Sequence, residues 1–549
     1  GADFSSFSAA VNALHYCSID SIVVFNVSNG KYDEQVSIDS IVGASSANTI
    51  TFRSASNDST SVVIQNGSTG PDNYVVRLTN NCKWVSFSGM TIFATSLTGR
   101  ALVISDGSCH NSFTNNIIKT NGSSSSTSAC VYLGSTGYES YNHFSNNVIQ
   151  NGYYGIYVYG SNNHDLKGIT IEGNNIQDFY YYGIYGYYND SIIVAKNTLQ
   201  STGNDDARGI YLSNISNFVD ISANQTILGC YVKGYGIYLN NLSSSGSSSN
   251  KSKVRNNFVS IDGGYNTDYG LTTYQCNNID VVYNTVIIHG SNSNSRAMYT
   301  SGGSNYNFLN NNITNFAGGH SIYLYSTATA SYYDYNNYYS NATTLGYWTT
   351  SVTDLAALKQ QSGMDSLSMS VNPGYQAMNS YKVSSTALNN TGIPVPSVLT
   401  DIEGEQRDTL NPDIGADEFS PNQWDVEALS LLQPLVYNGN GNSQIQLELR
   451  VRNLGANTIT SMSIGYKINN NTPVLHQWNG SLATNSTYDY LFPSTFTLPQ
   501  GQNTIKVFTS LVADQDSLND TITFVYHTLP ILSIPYFQDF DTIVNNWVS

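Results

Sequence analysis

The sequence predicts an all-β chain: a parallel β-helix followed by an immunoglobulin-like β-sandwich. Three observations carry this. Gly-Ile-Tyr recurs at residues 155–157, 183–185, 209–211 and 236–238, a period of about 27 residues. Asn followed two residues later by an apolar residue keeps nearly the same beat, with Asn at 115, 146, 174, 197, 224, 256, 284, 311 and 336. Beyond residue 423 the repeat is replaced by short, strictly alternating runs such as Ile445-Gln446-Leu447-Glu448-Leu449-Arg450-Val451.

A unit of this length with no helical periodicity fits one coil of a β-helix, in which each strand pairs with its counterpart one coil on. It fits a propeller or a sandwich array less well. Asn at a tight turn tolerates left-handed backbone and can hydrogen-bond along a stack of coils, which explains its recurrence. Ser5–Tyr16, with Phe7, Val11 and Leu14 at helical spacing, is expected to cap the open end. The runs Ile22–Val27 and Gly30–Ile38 follow as the first strands. These features together resemble the right-handed parallel β-helix superfamily of pectate-lyase-like proteins, and the opening resembles the first coils of many secreted bacterial β-helix proteins.

The repeat fades after Tyr339, and about 342–422 reads as the terminal cap of a β-helix domain spanning 1–422, with a short helix over Asp354–Lys359. Asp401-Ile402-Glu403-Gly404-Glu405-Gln406-Arg407 and Asp413-Ile414-Gly415-Ala416-Asp417-Glu418-Phe419 resemble the terminal motif of β-helix domains in large bacterial surface proteins. Nine acids and one base, Arg407, lie between residues 401 and 427. Clustered carboxylates suit a hard cation, so Asp401, Glu403, Asp413 and Asp417 are the metal candidates, with Ca2+ the ion. Their spacing matches no EF-hand-like loop, and a cap with Arg407 ion-paired is the favoured reading. No cofactor is otherwise implied. Residues 423–529 hold several short strands separated by turns, the pattern of the sandwich. Val451–Gly455, Trp478-Asn479-Gly480 and Asp516–Asp520 resemble bacterial CARDB-like modules. Residues 530–549, with Pro535–Asp541 and Trp547, resemble the start of a further, truncated jelly-roll module. This order of modules is similar to type IX-secreted bacterial surface proteins, which implies an extracellular or cell-surface location and further modules of a longer chain as neighbours. Both ends read as cut, and no signal peptide is visible.

Composition narrows the function. The 21 basic and 38 acidic residues give a net charge of −17, which disfavours nucleic acid as a partner. No apolar run is long enough to insert in a membrane. Six dispersed cysteines without C-x-x-C argue against zinc, and Cys82 and Cys109, one period apart, are either a disulfide or stacked thiols. Tyrosine is abundant, at 42 of 549 residues. Alternation sends Ile156, Ile184, Ile210 and Ile237 inward and Tyr157, Tyr185, Tyr211 and Tyr238 outward, and Tyr132, Tyr299 and Tyr323 extend this row around a break at Thr272. Such a row is a candidate surface for stacking sugar rings, although tyrosine is also simply a good strand former.

A polysaccharide lyase or glycoside hydrolase would need ionisable groups around one bond. Asp206, Arg208, Asp268, Arg296 and His320 are the candidates, yet they are scattered over about five coils. The polygalacturonase-like order of motifs is not kept: Asn266-Thr267-Asp268 follows Asp205-Asp206, and His289-Gly290 is preceded by Ile288. Gly30–Glu34 echoes the opening of pectin methylesterases without their catalytic segment. The leading expectation is therefore a secreted or cell-surface adhesin-like or structural rod that binds an extracellular polysaccharide or cell-surface glycan through its tyrosines. A glycan-cleaving enzyme and a plain spacer are the alternatives.

Overall fold

The computed structural model describes residues 3–70, 72–122, 124–134, 138–243, 251–326, 331–434, 438–440 and 444–529. The expected further module at 530–549 lies outside the described residues. The chain is all-β, with about 4% helix, and forms two compact units.

The first unit is a right-handed β-solenoid of about 11 turns. Each coil contributes one strand to each of three parallel sheets. Val23–Val27, Ile50–Ser54, Val85–Ser88 and Ser112–Thr114 begin the first sheet. The second begins with Gly30–Asp33, Val62–Asn66, Thr91–Ala94 and Ile117–Thr120. Val36–Ile38, Tyr74–Leu78, Arg100–Ile104 and Ala129–Gly134 begin the third. Right-handed crossovers between parallel strands are the usual outcome of strand twist. In-register pairing puts like residues over like. Phe25, Phe52, Phe87, Phe113 and Phe144 stack down the interior at 4.7, 5.1, 5.7 and 5.7 Å between ring centroids.

Helix α1 (Phe7–Tyr16) covers the first coils. Ser6 caps it, accepting from Ala9 N at 3.0 Å, and Phe7, Ala10, Val11 and Leu14 are buried. The Glu34 carboxylate accepts from Phe7 N (3.0 Å) and Ser8 N (2.9 Å), which places an anion at the helix N-terminus.

The asparagine ladder is real but one residue displaced at three steps. Its members are Asn116, Asn147, Asn174, Asn197, Asn224, Asn257, Asn284, Asn311 and Asn336. Each backbone N–H from Asn116 to Asn311 donates to the next Asn Oδ1 at 2.9–3.1 Å. Each Nδ2 donates back to a carbonyl such as Phe87 O, Ile171 O or Val194 O. Asn115, Asn146 and Asn256, which the period picked out, sit one residue earlier with φ of 57°, 54° and 53°. Lys196, Ala223, Tyr283 and Tyr335 hold the same left-handed position in other coils. The ladder ends where Asn336 N donates to Ser368 Oγ at 3.0 Å.

Helix α2 (Leu355–Ser362) lies between its cap Asp354 and Gly363, whose φ of 67° stops it. The acidic segment that follows folds against the solenoid. Arg407 is 5% exposed and lies 3.9 Å over the Tyr283 ring. It pairs with Glu418 (3.1 Å) and donates to Asn256 Oδ1, Gly415 O and Ala416 O at 2.9–3.0 Å. All six cysteines are free thiols, so Cys82 and Cys109 form no disulfide.

The second unit takes in Gly374–Gln376, Val383–Thr386 and the chain from Phe419. One sheet joins Val426–Gln433, Glu448–Asn453 and Thr487–Leu491. The other joins Asn438–Asn440, Ile459–Ile468, Val474–Leu482, Gly501–Ser510 and Thr521–Leu529. All pairings are antiparallel except that of Asn438–Asn440 with the last strand. Leu447, Leu449, Val451, Ile464, Phe492, Ile505 and Val507 form its core. Leu447, Leu449 and Val451 among them belong to the alternating run that marked the sandwich.

Candidate functional site

Gly-Ile-Tyr has a steric logic in the third sheet. A Cβ on Gly155, Gly183, Gly209 or Gly236 would lie 2.5–2.8 Å from the carbonyl oxygen of the matching glycine one coil on. The backbones approach too closely there for any side chain. The isoleucine behind it is buried, with Ile156, Ile184, Ile210 and Ile237 at 0–1% exposure. The tyrosine is turned outward and half-buried.

In register, Tyr132, Tyr157, Tyr185, Tyr211 and Tyr238 form one column. Their rings lie 4.8, 5.2, 5.7 and 4.6 Å apart with planes within 12° of parallel. Thr272, buried, breaks the column, and Tyr299, Tyr323 and Tyr347 resume it at 5.8 and 4.6 Å. A second column stands beside it, where Tyr154 and Tyr182 stack at 5.3 Å and Tyr235 and Tyr269 at 5.0 Å. The two columns are tilted against each other: Tyr154–Tyr157, Tyr182–Tyr185 and Tyr235–Tyr238 meet at 70°, 67° and 87°. Rings stacked this way shield one another's faces, so the columns present edges and hydroxyls. Burial pushes the Tyr154 hydroxyl up to about 12, and raises those of Tyr157, Tyr182, Tyr185 and Tyr238 further. They remain neutral donors and acceptors at any physiological pH.

Free ring faces occur at the border of the sheet. Tyr231 and Tyr265, consecutive in space (Tyr265 N donates to Tyr231 O at 3.1 Å), are 65% and 72% exposed. Tyr231 lies within the strand Gln225–Leu242 ahead of its Gly-Ile-Tyr motif and Tyr265 in the turn before Tyr269–Tyr274, and the sequence reading missed them. Their only signal is a pair of tyrosines, 34 residues apart, outside the Gly-Ile-Tyr motif.

The candidate catalytic residues do not converge. Arg208 and Arg296 occupy one column three coils apart, about 14 Å at the usual strand spacing. His320 is next to Arg296 in register, and burial together with that guanidinium lowers its pKa. Asp206 pairs in register with Lys233 at the margin. Asp268 is fully buried behind the sheet, accepting from Gly234 N at 2.7 Å with Cys230 Sγ at 3.9 Å, and its Oδ2 has no partner. Burial raises its pKa to about 7. Asp206, the other carboxylate of the five, lies close enough to add to that upward shift, but it is partly exposed whereas Asp268 is buried.

The metal candidates are taken up by the cap. Asp401 accepts from Glu403 N and Glu405 N through Oδ1 and from Glu418 N through Oδ2. Lys382 pairs with both Glu403 and Asp417, and Asp413 accepts from Asn390 N at 2.6 Å. Among the described residues, no group of three or more His, Cys, Asp or Glu side chains is arranged to hold a metal ion.

These features define a right-handed β-solenoid with a tyrosine-covered sheet face, followed by a small β-sandwich unit. Residues 101–286 match the family model of the right-handed β-helix region, about a third of the chain. No curated protein matches the chain. Among solved structures, a CARDB domain from Pyrococcus furiosus, in complex with di-metal ions, is 19% identical, with 20% of this chain and 97% of that one covered at a TM-score of 0.17. A pectin methylesterase from Yersinia enterocolitica is 10% identical over 52% of this chain and 81% of that one, with a TM-score of 0.21. The full-length tailspike protein 2 of Escherichia coli O157:H7 bacteriophage CAB120 is 11% identical over 96% and 66%, with a TM-score of 0.17.

Proposed function

We propose that the solenoid is a secreted or cell-surface binding rod whose third-sheet face holds an extracellular polysaccharide, with the sandwich and any further modules of a longer chain serving as spacers. The observation that carries this reading is the tyrosine column continuous in register from Tyr132 to Tyr238 and resumed from Tyr299, with a second, interrupted column of tyrosines beside it. A linear polymer laid along the rod meets the same chemistry at every coil, about 4.8 Å apart. Neutral hydroxyls on ring edges supply hydrogen bonds, and the free faces of Tyr231 and Tyr265 supply stacking. This refines the mechanism expected from sequence: stacking is assigned to the border tyrosines, and hydrogen bonding to the columns. The five scattered ionisable groups favour binding over cleavage.

A polysaccharide array tests the reading, using the full chain beside Y157A/Y185A/Y211A and Y231A/Y265A. Binding by the parent, weakened at least tenfold in both variants with melting temperatures retained above the assay temperature, is the expected result. Absence of binding by the parent, or binding unchanged in both variants, overturns it. Release of reducing or unsaturated ends from a bound polymer would replace it with the enzymatic reading.

A further inference from the structure

We infer that the polymer held on the third-sheet face is an acidic polysaccharide, recognised through its carboxylate or sulfate groups by Arg100, Arg208 and Arg296; this rests on the polysaccharide-binding reading above. The chain carries a net charge of −17, yet three neighbouring outward columns of this sheet contain no carboxylate, and the acid at their margin, Asp206, stands in register with Lys233. One column reads Tyr74, Arg100, Ala129, Tyr154, Tyr182, Arg208, Tyr235, Tyr269, Arg296 and His320 in register. The next is Arg77, Val103, the tyrosines and Thr272. Gly134, Tyr159, Tyr187, Ser213, Asn240, Tyr274, Ser301 and Ser326 complete the third.

Of the six other arginines, Arg77, Arg255, Arg407, Arg450 and Arg452 form ion pairs with acids, and Arg53 donates to Asn26 Oδ1 at 2.8 Å. Among the described residues, Arg100, Arg208 and Arg296 form no ion pair. Aromatic rings hold them instead. Arg100 lies 3.7 Å over Tyr132, and Arg296 lies 3.8 Å over Tyr323. Arg208 stands among Tyr181, Tyr182, Tyr211 and Tyr235 at 4.6–5.4 Å. A guanidinium stacked on rings is fixed in place but keeps its charge and its forked donors. Arg296 commits a single N–H, to Tyr269 Oη at 3.5 Å, and Arg100 a single one, to Thr127 O at 3.3 Å. Arg208 donates to Tyr182 Oη (2.6 Å) and Tyr181 Oη (2.8 Å); with its Nε–H buried, one N–H on each terminal nitrogen is left for a ligand. Bidentate recognition of a carboxylate or sulfate is what such a fork does best. By register the three stand four and three coils apart, about 19 and 14 Å along the rod, so one extended polyanion can reach all of them.

The test is affinity electrophoresis of the full chain in polygalacturonate (carboxylate), dextran sulfate (sulfate) and unmodified dextran, from 50 to 500 mM NaCl, with double-stranded DNA as competitor. The expected result is retardation in one or both acidic polymers, at least tenfold stronger than in dextran and falling with salt. R100Q and R208Q/R296Q should each weaken it, while R53Q, an exposed arginine on the first sheet, should leave it unchanged. R100Q, at the margin of the tyrosine cluster, keeps the test readable if the double variant unfolds. Equal retardation in dextran, unaffected by salt and by the arginine substitutions, overturns the inference and leaves the polysaccharide reading standing. Retardation in none of the three polymers overturns both. Displacement by DNA at equal concentration of charges overturns the assignment to a polysaccharide.

Discussion

Asn224→Ala should cost the solenoid more than any surface substitution of similar size. Asn224 is fully buried in the middle of the ladder. Its Oδ1 accepts from Asn197 N and Asn197 Nδ2, both at 3.0 Å, and its Nδ2 donates to Val194 O (2.8 Å) and Asn257 Oδ1 (3.0 Å). Truncation removes four hydrogen bonds. Asn257 Oδ1 still accepts from the Asn224 backbone N–H at 3.0 Å, so the groups left buried and unmade are the Asn197 N–H, one Asn197 Nδ2–H and Val194 O. Three such groups at about 1–3 kcal/mol each predict a loss of about 3–9 kcal/mol, against the usual domain stability of about 5–15. Because Asn197 and Asn224 share two of these bonds, N197A/N224A should cost less than the sum of the singles. Urea unfolding followed by far-UV circular dichroism reads both quantities, with N121A, an exposed turn asparagine, as control. A loss below about 1 kcal/mol for N224A, or strict additivity in the double variant, would refute the claim that the ladder is a coupled, buried network.

Two further perturbations follow from the same coordinates. The folded pKa of Asp268, raised to about 7 by burial, favours its neutral form, so its stabilising contribution is complete below the ordinary carboxylate pKa and is lost as pH rises from about 4 through 7. D268N should therefore flatten part of the fall in melting temperature between pH 5 and pH 8, an effect of at most about 4 kcal/mol; an unchanged pH profile would contradict it. Gly209→Ala would place a Cβ 2.3 Å from Thr226 Cγ2 and 2.7 Å from Gly236 O, and should destabilise the solenoid by about 1–3 kcal/mol in urea unfolding, whereas the same change at the open-turn Gly318 meets no atom within 4 Å but a φ of 78°.

Much of this fold is written in the period. Gly-Ile-Tyr identifies the strand, its inward isoleucine and its outward tyrosine, because parallel coils repeat the same local demand. The ladder slipped by one at Asn115-Asn116, Asn146-Asn147 and Asn256-Asn257 because two adjacent asparagines serve different needs there: the first takes the left-handed backbone, the second points inward. Only coils with Lys196, Ala223 or Tyr283 in the first position show which is which. The ring tilts were not legible, since they depend on how neighbouring columns share space. The column of Arg100, Arg208 and Arg296 is legible as the residue preceding each Gly-Ile-Tyr-like strand, but the rings that hold each guanidinium are not, because side-chain packing between columns has no sequence period. The sequence offers Asp268 only as one of five scattered ionisable groups; its burial depends on the bare turns at Gly264 and Gly290, where a Cβ would come within 2.4 and 3.1 Å of its carboxylate.

Tyrosine footprinting puts the binding face itself to the test. The full chain is nitrated with and without a saturating polysaccharide retained on the array, and modified sites are mapped by peptide mass spectrometry. Protection at Tyr231, Tyr265, Tyr157 and Tyr185, with Tyr16, Tyr138 and Tyr332 reacting equally in both samples, is the predicted outcome. Protection confined to Tyr16, Tyr138 or Tyr332, with the third-sheet tyrosines unchanged, would place the ligand elsewhere and contradict the account.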